Sequence, residues 1–114
     1  MEKIVEQTLL YDFYGELLTE HQRQIYEAVV FEDYSLSEVA KEYGVSRQGI
    51  HDLIRRCNHT LADYEEKLQM VKRFVSIQEK VKSIHHLTKN SSNLDEQTLL
   101  TQIEELSSAI LEEL

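Results

Sequence analysis

Proline is absent from this chain of 114 residues, and that absence fits a mainly helical protein. A single cysteine, Cys57, excludes an internal disulfide and agrees with a reducing compartment. The chain also lacks the long apolar run of a signal peptide or a membrane span. We therefore expect a cytoplasmic protein that has no membrane partner.

Basic residues are scarce. The chain has 12 lysines and arginines and 21 acidic residues, which give a net charge of −9. Such a chain repels a polyanion at long range, whereas phosphate contacts normally supply most non-specific DNA affinity. The charge is unevenly distributed along the chain, however. Residues 46–60 carry three arginines against one acid, Asp52, which leaves +2 before the histidines are counted. This patch holds nucleic acid only weakly unless a dimer doubles it or a partner neutralises its surroundings.

The residue patterns of common active sites are missing as well. There is no glycine-rich phosphate loop, no nucleophile elbow and no pair of carboxylates or histidines at metal spacing. His85 and His86 are adjacent, so their side chains diverge on a helix and do not share a ligand. Cys57 fits packing better than nucleophilic chemistry. We therefore expect no enzyme, no catalytic residue, no cofactor and no metal.

Helix start signals stand out in the segment from Leu18 to Arg56. Thr19 with Gln22, and Ser35 with Glu38, have the spacing of a capping box, in which a hydroxyl and a longer polar side chain satisfy free amides. The first box begins a helix predicted from Leu18 to about Phe31. The second begins another helix after a loop.

The residues after Ser35 predict a sharp turn between two helices. The apolar positions from Leu36 to Tyr43 have helical spacing, and the small Ala40 among them lets a second helix cross closely. Gly44 can adopt positive φ without a side-chain penalty, and Ser46 can cap the next helix. Together these features predict a helix-turn-helix.

In a helix-turn-helix, the second helix enters the DNA major groove with its N-terminal outward residues at base edges. Arg47 can bridge two acceptors of guanine, and Gln48 can pair with adenine. Asp52 departs from this chemistry, since it repels phosphates unless it meets a cytosine amino group. The residues that we expect to contact nucleic acid are Ser46, Arg47, Gln48, His51, Arg55 and Arg56.

The remaining sequence predicts one helix before the motif and a helical extension after it. Lys3 to Tyr14 forms the first helix, and residues 1–60 form the helix-turn-helix domain. Residues 61–114 form the extension, in which the recognition helix continues, with breaks, into a long helix. After the polar linker at residues 89–93 comes a final amphipathic helix.

Apolar side chains in the extension exceed what a small motif domain can cover. Heptad-like spacing runs through the long helix, and the terminal helix from Leu94 adds another apolar stripe. We expect a homodimer assembled through the long helix after Leu61 and the terminal helix. Alternatively, the terminal helix folds back across the linker and completes a monomeric bundle.

Several short sequences in the chain resemble known families. The run from Leu18 to Arg56 is similar to the promoter-reading region 4 of bacterial sigma factors, which is a winged-helix-like fold class. The shared letters are QR at Gln22 and Arg23, SEVA from Ser37 to Ala40, and GVSRQ from Gly44 to Gln48.

A fuller resemblance is to the bacterial YlxM family, through YDFYGELLT at 11–19, HDLIRRC at 51–57 and LADYEEKL at 61–68. It implies a sigma region 4-like domain with extra helices and a DNA-binding regulatory function. The genes of that family lie beside those of the signal recognition particle GTPase and its receptor, which implies a role in that targeting pathway. The alternative is an adaptor, or an RNA-binding accessory factor of the particle, that does not bind DNA.

Overall fold

The computed structural model describes residues 2–114, in which every regular element is helical. The all-α class is therefore confirmed. No β-strand occurs between residues 2 and 114, so the helix-turn-helix lacks the wing that the winged-helix-like class implies. The chain divides into two compact units, residues 2–69 and residues 70–114. The first unit contains α1 (Lys3–Tyr14), α2 (Glu20–Tyr26), α3 (Leu36–Tyr43) and α4 (Arg47–Leu68), and the second contains α5 (Met70–Lys89) and α6 (Glu96–Glu113).

Helix α2 is shorter than predicted at both ends. It begins at Glu20 because Thr19 is its cap: the Thr19 hydroxyl accepts from the Gln22 amide at 3.1 Å, and the Gln22 side chain accepts from the Thr19 amide at 3.0 Å. From Glu27 to Phe31 the chain stays helical with the wider π pattern. The predicted helix thus contains two hydrogen-bonding patterns rather than one.

The core of the first unit lies between α4 and the helices packed on it. Ile25, Val39, Ala40 and Ile50 form one buried cluster, which holds α2, α3 and the start of α4 together. Farther along α4, Cys57 and Leu61 are also fully buried. The packing role predicted for Cys57 is therefore confirmed.

Two buried tyrosines tie the first two helices to the middle of α4. The Tyr14 hydroxyl donates to the Glu65 carboxylate at 2.6 Å, and the Tyr26 hydroxyl donates to the Asn58 side chain at 2.6 Å. Each ring is buried while its hydroxyl is satisfied by a protein side chain.

Helix α4 continues well beyond the recognition segment, for 22 residues in total. It ends at Leu68 because Gln69 takes a left-handed conformation with φ of 54°. The domain boundary expected between residues 60 and 61 therefore falls inside α4. The two compact units divide after Gln69 instead.

The second unit is a helical hairpin. A short 3₁₀ turn at Ser91–Asn93 follows α5, and Asp95 caps α6 by accepting from the Thr98 amide at 2.6 Å. The Glu113 carboxylate accepts from the Ser76 hydroxyl at 2.7 Å and from the Lys80 ammonium at 2.9 Å. Helix α6 therefore folds back on α5 within one chain.

Between residues 2 and 114, none of the helices combines the length and the apolar character that crossing a bilayer requires.

Candidate nucleic-acid interface

The turn between α3 and α4 has the backbone geometry that the sequence predicts. Gly44 adopts φ of 66° and ψ of 31°, the left-handed conformation that costs glycine little. The Val45 amide then donates to the Ala40 carbonyl at 3.0 Å, which closes the end of α3. Ala40 itself is only 6% exposed and lies in the cluster that α4 enters through Ile50. The helix-turn-helix is therefore present.

Ser46 sets the first turn of α4. Its hydroxyl oxygen accepts a hydrogen bond from the Gly49 amide at 2.9 Å, so the side chain caps the helix. The capping role predicted for Ser46 is confirmed, and its hydroxyl hydrogen is still able to donate to a ligand. The cap also fixes the start of the helical register that places the next residues.

Three predicted contact residues meet in one groove at the N-terminal end of α4. Arg47, Gln48 and His51 are exposed there and, with Leu36 of α3, line a groove of about 450 Å³. The groove lies on the outer side of the helix-turn-helix, because the opposite side of α4 is anchored by the buried Ile50. It offers guanidinium, amide and imidazole groups to one ligand, which suits base edges.

Asp52 is held by its neighbours on the same face. Its Oδ1 accepts from the Gln48 amide nitrogen at 3.0 Å, and the His51 Nδ1 lies 3.8 Å from the same oxygen. Leu36, which the sequence places among the apolar positions of α3, also lines the groove. The spacing of four residues between Gln48 and Asp52 permits this contact on one helix face.

Arg55 and Arg56 lie one to two turns farther along α4, and both are exposed. Among residues 2–114, no carboxylate comes within 4.0 Å of Arg47, Arg55 or Arg56. All three guanidinium groups therefore keep their charge available for a ligand. The structure thus brings Arg47, Gln48 and His51 together at the groove and sets Arg55 and Arg56 beside it on the same helix.

The other reactive side chains of this unit do not form a chemical centre. Burial raises the pKa of the Cys57 thiol, although the nearby Arg56 charge opposes the shift, so the thiolate that nucleophilic chemistry needs is disfavoured. Burial also raises the pKa of Tyr26 to about 12. Between residues 2 and 114, no group of three metal-ligating side chains comes together.

Comparison with known families agrees with this geometry. A family model described as "Putative helix-turn-helix protein, YlxM / p13 like" matches residues 1–105. The chain belongs to this family. The resemblance noted in the sequence, which rested on three short segments, is thereby extended over most of the chain.

Relatives in the same family come from several bacteria. A UPF0122 protein of Staphylococcus epidermidis is 42% identical over 106 residues, which cover 91% of this chain and 93% of the relative. One from Acetivibrio thermocellus is 36% identical over 116 residues, which cover 98% and 99%. One from Caldanaerobacter subterraneus is 47% identical over 77 residues, which cover 68% of this chain and 66% of the relative.

Proposed function

We propose that this protein is a DNA-binding regulator that reads the major groove with the N-terminal part of α4. The observation that carries the proposal is the groove where Arg47, Gln48 and His51 are exposed together. Arg47 and Gln48 contact base edges, and Arg55 and Arg56, which have no acidic partner among the described residues, contact phosphates. The capping Ser46 contributes its hydroxyl to the same interface.

The cellular location that we propose follows from the cysteine content. We assign the protein to the cytoplasm, because its one cysteine is a buried free thiol that suits a reducing compartment. We assign it no catalytic activity. We also propose that the regulator acts in the signal recognition particle targeting pathway, as the YlxM family resemblance implies.

We further propose that the regulator is a homodimer joined through the second unit. In that unit the side chains of Val81, Leu100 and Leu111 are 51%, 55% and 71% exposed. Leaving them in water forgoes about 25 cal/mol for each Å² of apolar surface, and two-fold pairing is the commonest way for identical chains to cover such surface. A dimer also presents two copies of the basic patch at residues 46–60 to one DNA, although the net charge of −9 per chain doubles with it.

Sedimentation equilibrium tests the dimer. We expect twice the chain mass of 13.4 kDa at micromolar concentration, and a return to 13.4 kDa in Leu100→Glu/Leu111→Glu with unchanged helix content. Thr101→Glu is the matched control, because it adds one charge to α6 about 100° around the helix. A parent mass of 13.4 kDa would refute the dimer, as would dissociation by the control alone.

A second candidate function is an adaptor or RNA-binding accessory factor of the signal recognition particle. One observation favours its protein-binding form: a groove of about 270 Å³ in the first unit is lined by the aromatic rings of Tyr11 and Phe31 together with acidic side chains. A basic, amphipathic segment of a partner suits that combination. The acids that line it are Asp12, Glu27 and Glu32.

One binding experiment separates these functions. Fluorescence anisotropy is measured for the parent with labelled genomic DNA fragments, with the particle RNA and with the particle GTPase. We expect binding to a subset of the DNA fragments, and Arg47→Ala to cost about 1–3 kcal/mol of discrimination between them. Lys82→Ala is the control, because it removes an exposed charge from the second unit. Binding only to the GTPase or only to the RNA would favour the second candidate and refute the first.

A further inference from the structure

Asp52 is the acid on the face that we propose reads DNA, and a hydrogen bond from Gln48 holds it there. Its Oδ1 accepts from Gln48 Nε2 at 3.0 Å and lies 3.8 Å from His51 Nδ1. Among residues 2–114, its other oxygen, Oδ2, has no hydrogen-bond partner. Both contacts lie within one helix, so the carboxylate is already oriented before any ligand arrives.

Asp52 also forms no ion pair with Arg55 or Arg56, the two arginines that follow it on α4. Arg55 and Arg56 follow it by three and four residues, the spacing at which a helix normally forms ion pairs. The structure shows neither pair within 4.0 Å. The carboxylate instead accepts from Gln48, whose side chain lines the N-terminal groove. Base edges lie at that end of the helix in a helix-turn-helix complex.

We propose that Asp52 is the specificity-determining residue of this reading helix. It positions the Gln48 amide, and its free oxygen accepts a hydrogen bond from an exocyclic amino group of cytosine or adenine. Guanine and thymine present hydrogen-bond acceptors at the corresponding major-groove positions, and a carboxylate has no proton to give them. This inference rests on the proposed DNA binding and adds the class of base edge that is read.

The role has two measurable consequences. A good base contact discriminates by about 5- to 150-fold, from 1–3 kcal/mol at 1.4 kcal/mol per tenfold. In addition, a fixed negative charge beside the phosphates weakens binding to every sequence. Its removal therefore tightens binding to random DNA and steepens the plot of log affinity against log salt by up to about 0.9.

The test compares Asp52→Ala and Asp52→Asn with the parent, using a randomised duplex pool for selection and a random duplex for anisotropy. We expect Asp52→Ala to lose the preference for an amino group at one position. Asp52→Asn keeps an acceptor oxygen and adds an amide donor, so we expect it to retain adenine there and to lose the discrimination against guanine and thymine. Both variants bind the random duplex more tightly than the parent.

Asp63→Ala is the matched control on the same helix. The Asp63 side chain is 50% exposed against 46% for Asp52, and a histidine also lies near it, with His59 Nε2 at 3.4 Å. Asp63 lies about 16 Å farther along α4, at 1.5 Å for each residue. The Asp63→Ala variant should therefore select the same duplex sequences as the parent.

A measurement without DNA keeps the two proposals separable. In the free protein, ¹⁵N spectra should show one Gln48 side-chain amide proton shifted and slowly exchanging, and Asp52→Ala should abolish both effects. Unchanged Gln48 signals in that variant would refute the positioning role. Unchanged base selection by Asp52→Ala would overturn the inference while DNA binding stands. A parent that selects no duplex would refute the proposed function, and this inference with it.

Discussion

Enlarging Ala40 should destabilise the first unit, because the helix crossing leaves no room there. Ala40 is 6% exposed, and its neighbours Ile25, Val39 and Ile50 are each 1% exposed. Leucine adds three carbon atoms. Burying them would stabilise the fold by about 2 kcal/mol if space existed, at about 0.8 kcal/mol for each group. Because the cluster is closed, we expect overpacking to dominate and to cost about 1–3 kcal/mol.

Thermal unfolding followed by near-ultraviolet circular dichroism of tyrosine measures this cost. All six tyrosines lie between residues 11 and 64, so the signal reports on the first unit alone. The expected loss lowers Tm by about 4–8 °C for each kcal/mol. Ala62→Leu, at an exposed position of α4, is the control and should stay within about 0.5 kcal/mol of the parent. If Ala40→Leu has the same Tm as the Ala62→Leu control, the close crossing of α3 and α4 is wrong.

Three further predictions concern the turn, a buried phenol and the hairpin. Gly44→Ala should cost about 1 kcal/mol in urea unfolding through its φ of 66° alone, because no atom lies within 4 Å of an added Cβ; an unchanged midpoint would contradict this. Since burial raises the pKa of Tyr26 from 10 to about 12, its contribution to stability is complete below pH 10 and is lost as pH rises through 12; Tyr26→Phe should remove that loss. Glu113→Gln should speed amide exchange at the end of α6 by weakening the contacts with Ser76 and Lys80, whereas the adjacent exposed Glu112→Gln should not.

The parts of the fold that were predicted correctly depend on local interactions. The two capping boxes and the left-handed Gly44 each follow from residues within a few positions of one another. The end of α4 did not follow, because the left-handed residue is Gln69, without the glycine that commonly marks such a stop. The π turn after Tyr26 likewise has no simple sequence signature.

The candidate site divides in a similar way. Helical periodicity correctly placed Arg47, Gln48 and His51 outside, because Ile50 fixes which side of α4 is buried. Periodicity does not specify which partner a polar side chain chooses. On a helix, the Asp52 carboxylate can reach the Gln48 amide on the preceding turn or Arg55 and Arg56 on the following turn. Only the three-dimensional structure shows that it contacts Gln48.

Backbone amide mapping by NMR tests the central claim, that α4 is the surface that contacts DNA. The selected duplex is titrated into ¹⁵N-labelled protein, and amide shifts are followed along the chain. We predict that the largest changes fall between Ser46 and Arg56, with few in α1 and α6, and that Arg47→Ala reduces them at equal duplex concentration. Shifts that concentrate on α1 or α6, or no shifts at low salt, would contradict the account.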